Sequence, residues 1–321
     1  MNLPSVPVIS IARLADPATR AALDAACRDW GFFQVVDHGV QDSVTAGMHR
    51  AMRDFFAQPL PAKRAIMRSA DNPWGFYDQE LTKNTRDWKE VYDYGPAGDY
   101  GDSAGDVVRP QWPERLPGFR AAVFDFYRAC EALAFRLLGA LSANLGMPEG
   151  HLSAGFLPRH SSFLRLNYYP VCPLPARPPG LRTPAAGHLG INHHTDAGAL
   201  TILLQDAQPG LEVFRHGDWH LVEPRADALV VNIGDIVQVW SNDHYRASLH
   251  RVITDATAAR YSAPFFFNPA YSTEYAPLPT MVDAHSPPRY RAINWGEFRR
   301  ARADGDYADI GEEIQISHYG I

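Results

Sequence analysis

Three stretches decide the fold: NHHTDAGALTILLQD from Asn192 to Asp206, ALVVNIGDIVQVWSNDHYRASLHRVI from Ala228 to Ile253, and RYSAPFFFNP from Arg260 to Pro269. Short apolar runs rich in β-branched residues alternate with turn residues, the texture of an all-β sandwich or barrel. Strands are expected at Ala199–Leu204, Leu211–Phe214, Trp219–Val222, Ala228–Ile233, Ile236–Trp240, Ser248–Thr254 and Tyr261–Phe267, with one more upstream at Phe163–Tyr169. Gly217-Asp218 and Gly234-Asp235 suit hairpin turns. Eight or so strands of this length would close a double-stranded β-helix, or jelly roll.

Successive side chains on a strand face opposite ways, so residues i and i+2 share a face. Asn167/Tyr169, His194/Asp196 and Arg260/Ser262 are all such pairs. His-x-Asp with a distant third His, here His250 at 54 positions beyond Asp196, is the ligand set of a non-haem iron(II) centre that leaves the rest of the coordination sphere open. Arg260 and Ser262 follow soon after, and a guanidinium fork beside a hydroxyl suits a carboxylate. A second His-x-Asp, His216-Gly217-Asp218, has no His at a matching distance: after His250 the next is His285, and no Arg-x-Ser follows that. It reads as a solvated hairpin turn.

Upstream the pattern is helical. Asp16-Pro17 is a capping carboxylate followed by a proline whose missing N–H costs nothing at a helix start. That helix is expected to reach Trp30 and stop at Gly31. Val6–Ile11 and Phe32–Val36 read as strands. Ser43–Phe56 and Leu116–Leu145 carry apolar residues at helical spacing, and Asn294–Arg302 suggests a late helix. Val171–Gly190, rich in Pro and Gly, reads as a loop.

These residues resemble the isopenicillin N synthase-like family of Fe(II)/2-oxoglutarate-dependent dioxygenases. The resemblance rests on LRLNYYPVCPLP (Leu164 to Pro175), the three stretches above, VPVISIARL and CRDWGFFQVVDHGV (Cys27 to Val40) near the start, and DWKEVYDYG (Asp87 to Gly95). It implies a mostly β chain with flanking helices: a jelly-roll core over residues 161–321, and an N-terminal α/β region, 1–160, packed on it as one compact unit. It implies iron(II) on His194, Asp196 and His250. The 2-oxoglutarate would lie with its distal carboxylate on Arg260 and Ser262, Tyr169 adding a donor and Asn167 nearer the metal. Oxygen completes the set, with ascorbate as reductant. The expected reaction is hydroxylation of a small organic molecule with release of succinate and CO2. Alternatives are a family oxidase that needs no 2-oxoglutarate and a non-catalytic binding protein on the same barrel, which would have lost a ligand or the clamp.

Phe266 and Asn268 keep the parity of Arg260 and Ser262, so they are candidates for the substrate wall. Trp88 and Tyr92 are candidates to close the pocket from the helical side. His193 should face away from the metal. Arg86 and Lys89 read as part of a solvated charged face.

The bulk numbers exclude other classes. A formal net charge of −6 and a pI near 6.1 argue against nucleic-acid binding through phosphate contacts. Cys27, Cys130 and Cys172 have no metal-type spacing and leave one thiol unpaired, which suits a reducing compartment. With no basic-then-apolar start and no membrane-length apolar run, no membrane partner is expected, and the cytoplasm is the simplest location. Oligomeric state is open in the sequence.

Overall fold

The computed structural model describes residues 5–82, 85–96, 108–181, 186–307 and 314–321. The chain opens with strand β1 (Val8–Ser10), helix α1 (Pro17–Asp29) and strand β2 (Phe32–Val36). Asp16 caps α1 by accepting a hydrogen bond from the Ala18 N–H at 3.0 Å. Gly31 then turns the chain at φ +62°, a backbone state glycine reaches without penalty. A Cβ there would lie 2.2 Å from the Arg246 carbonyl oxygen. Helices α2 (Asp42–Phe56) and α3 (Leu60–Arg64) follow, then strands β3 (Gly75–Tyr77), β4 (Leu81–Thr82), β5 (Thr85–Arg86) and β6 (Glu90–Tyr94).

Helix α4 (Phe119–Asn144) buries a stripe at spacings of three and four: Val123, Phe126, Tyr127, Cys130, Leu133, Leu137 and Leu141. Each large apolar side chain on it contributes about 1.5–3 kcal/mol by leaving water. No helix among the described residues is long and apolar enough to cross a membrane.

Strands β7 (Phe163–Tyr169), β8 (Leu189–His194), β9 (Leu200–Gln205), β10 (Leu211–Arg215), β11 (Asp218–Leu221) and β12 (Leu229–Ile233) come next. After the short helix α5 (Asp235–Trp240) the chain makes β13 (His250–Ile253), β14 (Arg260–Phe267), β15 (Glu274–Tyr275), β16 (Ile293–Asn294) and helix α6 (Trp295–Tyr307). The major sheet runs β1-β2-β12-β9-β14-β7-β6-β3 and the minor sheet β11-β10-β13-β8. These two sheets are the jelly roll. The major one takes strands from both halves of the chain, and α4 packs on its outer face against β7, β9 and β14.

Two expectations fail here. Ile236–Trp240 is a helix, not a strand, so Gly234-Asp235 is no hairpin turn. The N–H groups of Gly234, Asp235 and Ile236 donate to the carbonyls of Ala199, Asp196 and Gly198, and this tertiary contact overrides the β-branched composition. The other hairpin does form, one residue earlier than read. His216 (φ +51°) and Gly217 (φ +92°) are its two central residues, as a type I′ turn requires, and both are exposed. The decoy His-x-Asp is therefore a surface turn.

Candidate metal and 2-oxoglutarate site

The pairing of β8 with β13 puts His194 directly opposite His250. Asp196 lies two residues past His194, where β8 has ended. Ligand atoms of His194, Asp196 and His250 all fall within 4.8 Å of one another, the one such His/Cys/Asp/Glu group among the described residues. His194 Nε2 is 3.7 Å and His250 Nε2 3.6 Å from Asp196 Oδ1.

Hydrogen bonds set the tautomers. His194 Nδ1 donates to the Asn192 carbonyl at 2.8 Å and His250 Nδ1 to the Ser248 carbonyl at 3.1 Å. With Nδ1 spent on a carbonyl, Nε2 is the nitrogen each ring turns toward the Asp196 carboxylate. Its other oxygen, Oδ2, accepts from Thr201 Oγ1 at 2.5 Å and Asn232 Nδ2 at 2.7 Å. Two imidazole Nε2 atoms and one carboxylate oxygen converge on one point, and a cation is what satisfies such a donor set.

The electrostatics agree. Burial, and then the neighbouring His250, push His194 down to about 3, so its imidazole is neutral at physiological pH. Burial works to raise Asp196, but His250, His194 and the bonds from Asn232 and Thr201 outweigh it and hold the carboxyl below its ordinary value. A neutral His194 imidazole and an ionised Asp196 carboxylate are in the protonation states that bind iron(II).

The residues expected to hold the co-substrate carboxylate are on the facing sheet. Register pairs Arg260 with Tyr169 and Ser262 with Asn167 across β14 and β7, so all four face the same cavity. Arg260 is 3% exposed, and its Nη2 donates to Gln205 Oε1 at 3.0 Å. Its Nε and Nη1 have no protein acceptor, nor does Asn167 Oδ1 receive a donor. Leaving buried guanidinium N–H groups unmade costs on the order of 1–3 kcal/mol each. A two-oxygen anion is the kind of group that could satisfy both nitrogens.

The metal group and the clamp border one cavity of about 180 Å³. Phe266 and Asn268 line it as parity required, and Phe266 stacks on Phe163 with centroids 4.7 Å apart. Tyr168 faces out and stacks on Phe56. His193 stays off the metal group, its Nδ1 3.0 Å from Asn192 Oδ1.

Trp88 and Tyr92 do not line the cavity. Trp88 stacks on His188 and donates to the Pro170 carbonyl, while Tyr92 is buried against Phe55 and Phe119 with its hydroxyl on the Gln111 carbonyl. On β6 and the two residues before it, Lys89, Val91 and Asp93 share one face, and Trp88, Glu90 and Tyr92 the other. Lys89 is likewise not on a solvated face. Its side chain is 3% exposed, borders the cavity, and pairs with Asp87 at 3.0 Å and Glu80 at 3.2 Å. Arg165 joins the same network through Asp93 and Glu80, at 2.7 and 2.6 Å. The acidic partners lie far from Arg165 in sequence, so no local pattern announced them.

Two family models match this chain: the 2OG-Fe(II) oxygenase superfamily over residues 160–269, and the N-terminal region described as non-haem dioxygenase in morphine synthesis over residues 6–115. The chain belongs to the 2OG-Fe(II) oxygenase superfamily. Jasmonate-induced oxygenase 2 of Arabidopsis thaliana is 32% identical over 309 residues, covering 95% of this chain and 79% of that protein. Flavanone 3-dioxygenase 2 of Oryza sativa subsp. japonica is 33% identical over 91% of this chain and 82% of its own. The crystal structure of JOX2 in complex with 2OG, Fe and JA superposes with a TM-score of 0.79 at 32% identity, covering 92% of this chain and 84% of that one. The rice dioxygenase for auxin oxidation gives 0.74 at 26% identity, covering 99% of this chain and 100% of its own. This oxygenase is an iron(II)- and 2-oxoglutarate-dependent oxidoreductase, and the donor set just described fits both cofactors.

Proposed function

We propose that this oxygenase hydroxylates a small, ring-bearing organic molecule, with His194, Asp196 and His250 holding iron(II). Arg260, Ser262, Tyr169 and Asn167 hold 2-oxoglutarate. The observation that carries this reading is the pairing, in one cavity, of a convergent His/Asp/His donor set with a buried arginine that has two nitrogens without a protein acceptor. Iron(II) with 2-oxoglutarate and O2 supplies an oxidant for an unactivated C–H bond, leaving succinate and CO2.

The chain's own residues do the positioning. Asn192 and Ser248 carbonyls fix the imidazole rings by accepting from Nδ1. Thr201 and Asn232 hold Asp196 Oδ2, so Oδ1 is the oxygen left for the metal. Arg260 orients the co-substrate from its distal end, and apolar Leu203, Leu211 and Val252 keep water from the space between. The stacked Phe163 and Phe266 give a flat substrate a face to lie on, and Asn268 a polar edge to meet.

The test is product analysis with purified protein, iron(II), ascorbate and 2-oxoglutarate against a panel of flat ring-bearing acids and phenols. Substrate-stimulated succinate with a product 16 mass units heavier supports hydroxylation. Stimulated succinate with a product two units lighter would replace it with desaturation.

A further inference from the structure

The segment carrying two of the proposed iron ligands is gripped from behind. Helix α5 begins at Gly234, and its first N–H groups bind the carbonyls of Asp196, Gly198 and Ala199. A Cβ at Gly234 would lie 2.2 Å from the Gly198 oxygen and 2.7 Å from the Asp196 oxygen, so the approach is open to glycine alone. Asp235 is fully buried, and its N–H is 2.8 Å from the Asp196 carbonyl.

Arg302, from α6 near the other end of the chain, reaches this point. Its Nη1 donates to Asp235 Oδ2 at 3.1 Å and its Nη2 to the Thr195 carbonyl at 2.9 Å. Thr195 is the residue between His194 and Asp196. Arg302 is 4% exposed. Trp295, Arg299 and Arg302, at i, i+4 and i+7 of α6, all border the cavity, and Trp295 Nε1 anchors the helix start on Ser161 Oγ at 2.8 Å.

We propose that Arg302 is a positioning residue for the iron centre: one guanidinium, by holding the Thr195 carbonyl and Asp235 together, fixes the His194–Asp196 segment in its ligating shape. This rests on the assignment of those residues as iron ligands. Neither ligand touches Arg302, so its effect passes through the Thr195 backbone and through Asp235. Two donors in a rigid fork are required, because the two acceptors belong to different chain segments. Groups behind metal ligands are typically worth about 10–100-fold in metal affinity. The helix that lines the cavity is thereby tied to the metal segment.

The test is an anaerobic titration of apoprotein with iron(II) alone, in competition with a chromophoric chelator. Arg302→Lys keeps the charge against Asp235 but cannot span both acceptors. It is expected to melt within a few degrees of wild type and bind iron(II) about 10-fold more weakly. Arg302→Met should bind more weakly still and also lose stability, because Asp235 is left buried without its cation. Should Arg302→Met fold poorly, Arg302→Lys decides. Native-state hydrogen exchange should show faster opening in that variant around residues 194–198, with α4 unchanged. Wild-type iron affinity in folded Arg302→Lys would overturn the proposal. Failure of the wild-type protein to bind iron would instead overturn the ligand assignment beneath it.

Discussion

Replacing Arg260 by Met should abolish tight 2-oxoglutarate binding while leaving iron binding intact. The size of the effect follows from the guanidinium's surroundings. One of its N–H groups is used on Gln205, and Nε and Nη1 are unmade. A carboxylate that takes both gains two charge-assisted hydrogen bonds of about 1.5–3 kcal/mol each. Even the lower figure for both bonds, about 3 kcal/mol, is on the order of 10²-fold in Kd. Arg260→Lys keeps a point charge and loses the fork, so about 10-fold is expected, one bond at the lower figure. The apoprotein should not suffer in step, because its unpaired donors are a cost that Arg260→Met removes. The assay is calorimetric titration of iron(II)-loaded protein with 2-oxoglutarate under nitrogen, alongside thermal melts of the apoprotein. A Kd for Arg260→Met within threefold of wild type would refute the reasoning, since the clamp would then lie elsewhere.

Other consequences can be checked separately. His250→Ala and Asp196→Ala should each lose iron(II) binding in anaerobic dialysis while keeping the wild-type circular dichroism spectrum. Gly234→Ala forces a Cβ against two backbone carbonyls of the metal segment, so both melting temperature and iron affinity should fall together. Glu80→Gln leaves Lys89 and Arg165 short of a buried counter-charge and should cost about 3–5 kcal/mol at neutral pH by urea unfolding. In the folded state burial pushes the Glu80 carboxyl up, but Arg165, Lys89 and Arg68 outweigh it and hold it well below 4.5. Its stabilisation is therefore complete above pH 4.5 and drains as pH falls below that, by up to about 1.4 kcal/mol per unit. Wild type should lose stability in that range more steeply than Glu80→Gln, and parallel slopes would contradict the assignment.

The parts of the site that lie on single strands were legible because strand parity is a local rule. Asn167/Tyr169 and Arg260/Ser262 needed only the two-residue period to share a face, and the β7–β14 register then set them against each other. Parity also carried Phe266 and Asn268 into the cavity. The same period divides the segment from Asp87 to Tyr94, where Lys89 borders the cavity while Trp88 and Tyr92 lie on the opposite face. The buried charges escaped for a different reason. Lys89 is solvated by rule of thumb and buried in fact because Glu80 and Asp87 neutralise it, and a pairing made by the fold is invisible to composition. Helix α5 escaped because IVQVW has strand composition, and only the carbonyls of the metal segment give its first N–H groups a partner. Arg302 lies more than a hundred residues from the ligands it steadies, and its role rests on two contacts that no spacing encodes.

The central claim is that one cavity holds iron(II) on His194, Asp196 and His250 and chelating 2-oxoglutarate on Arg260. The most direct measurement is an anaerobic visible spectrum of the apoprotein through sequential addition of iron(II) and 2-oxoglutarate. A metal-to-ligand charge-transfer band should need both additions, vanish in His250→Ala, and in Arg260→Met appear only at far higher 2-oxoglutarate. Iron binding with no band at any 2-oxoglutarate concentration, or a band that survives His250→Ala unchanged, would contradict it.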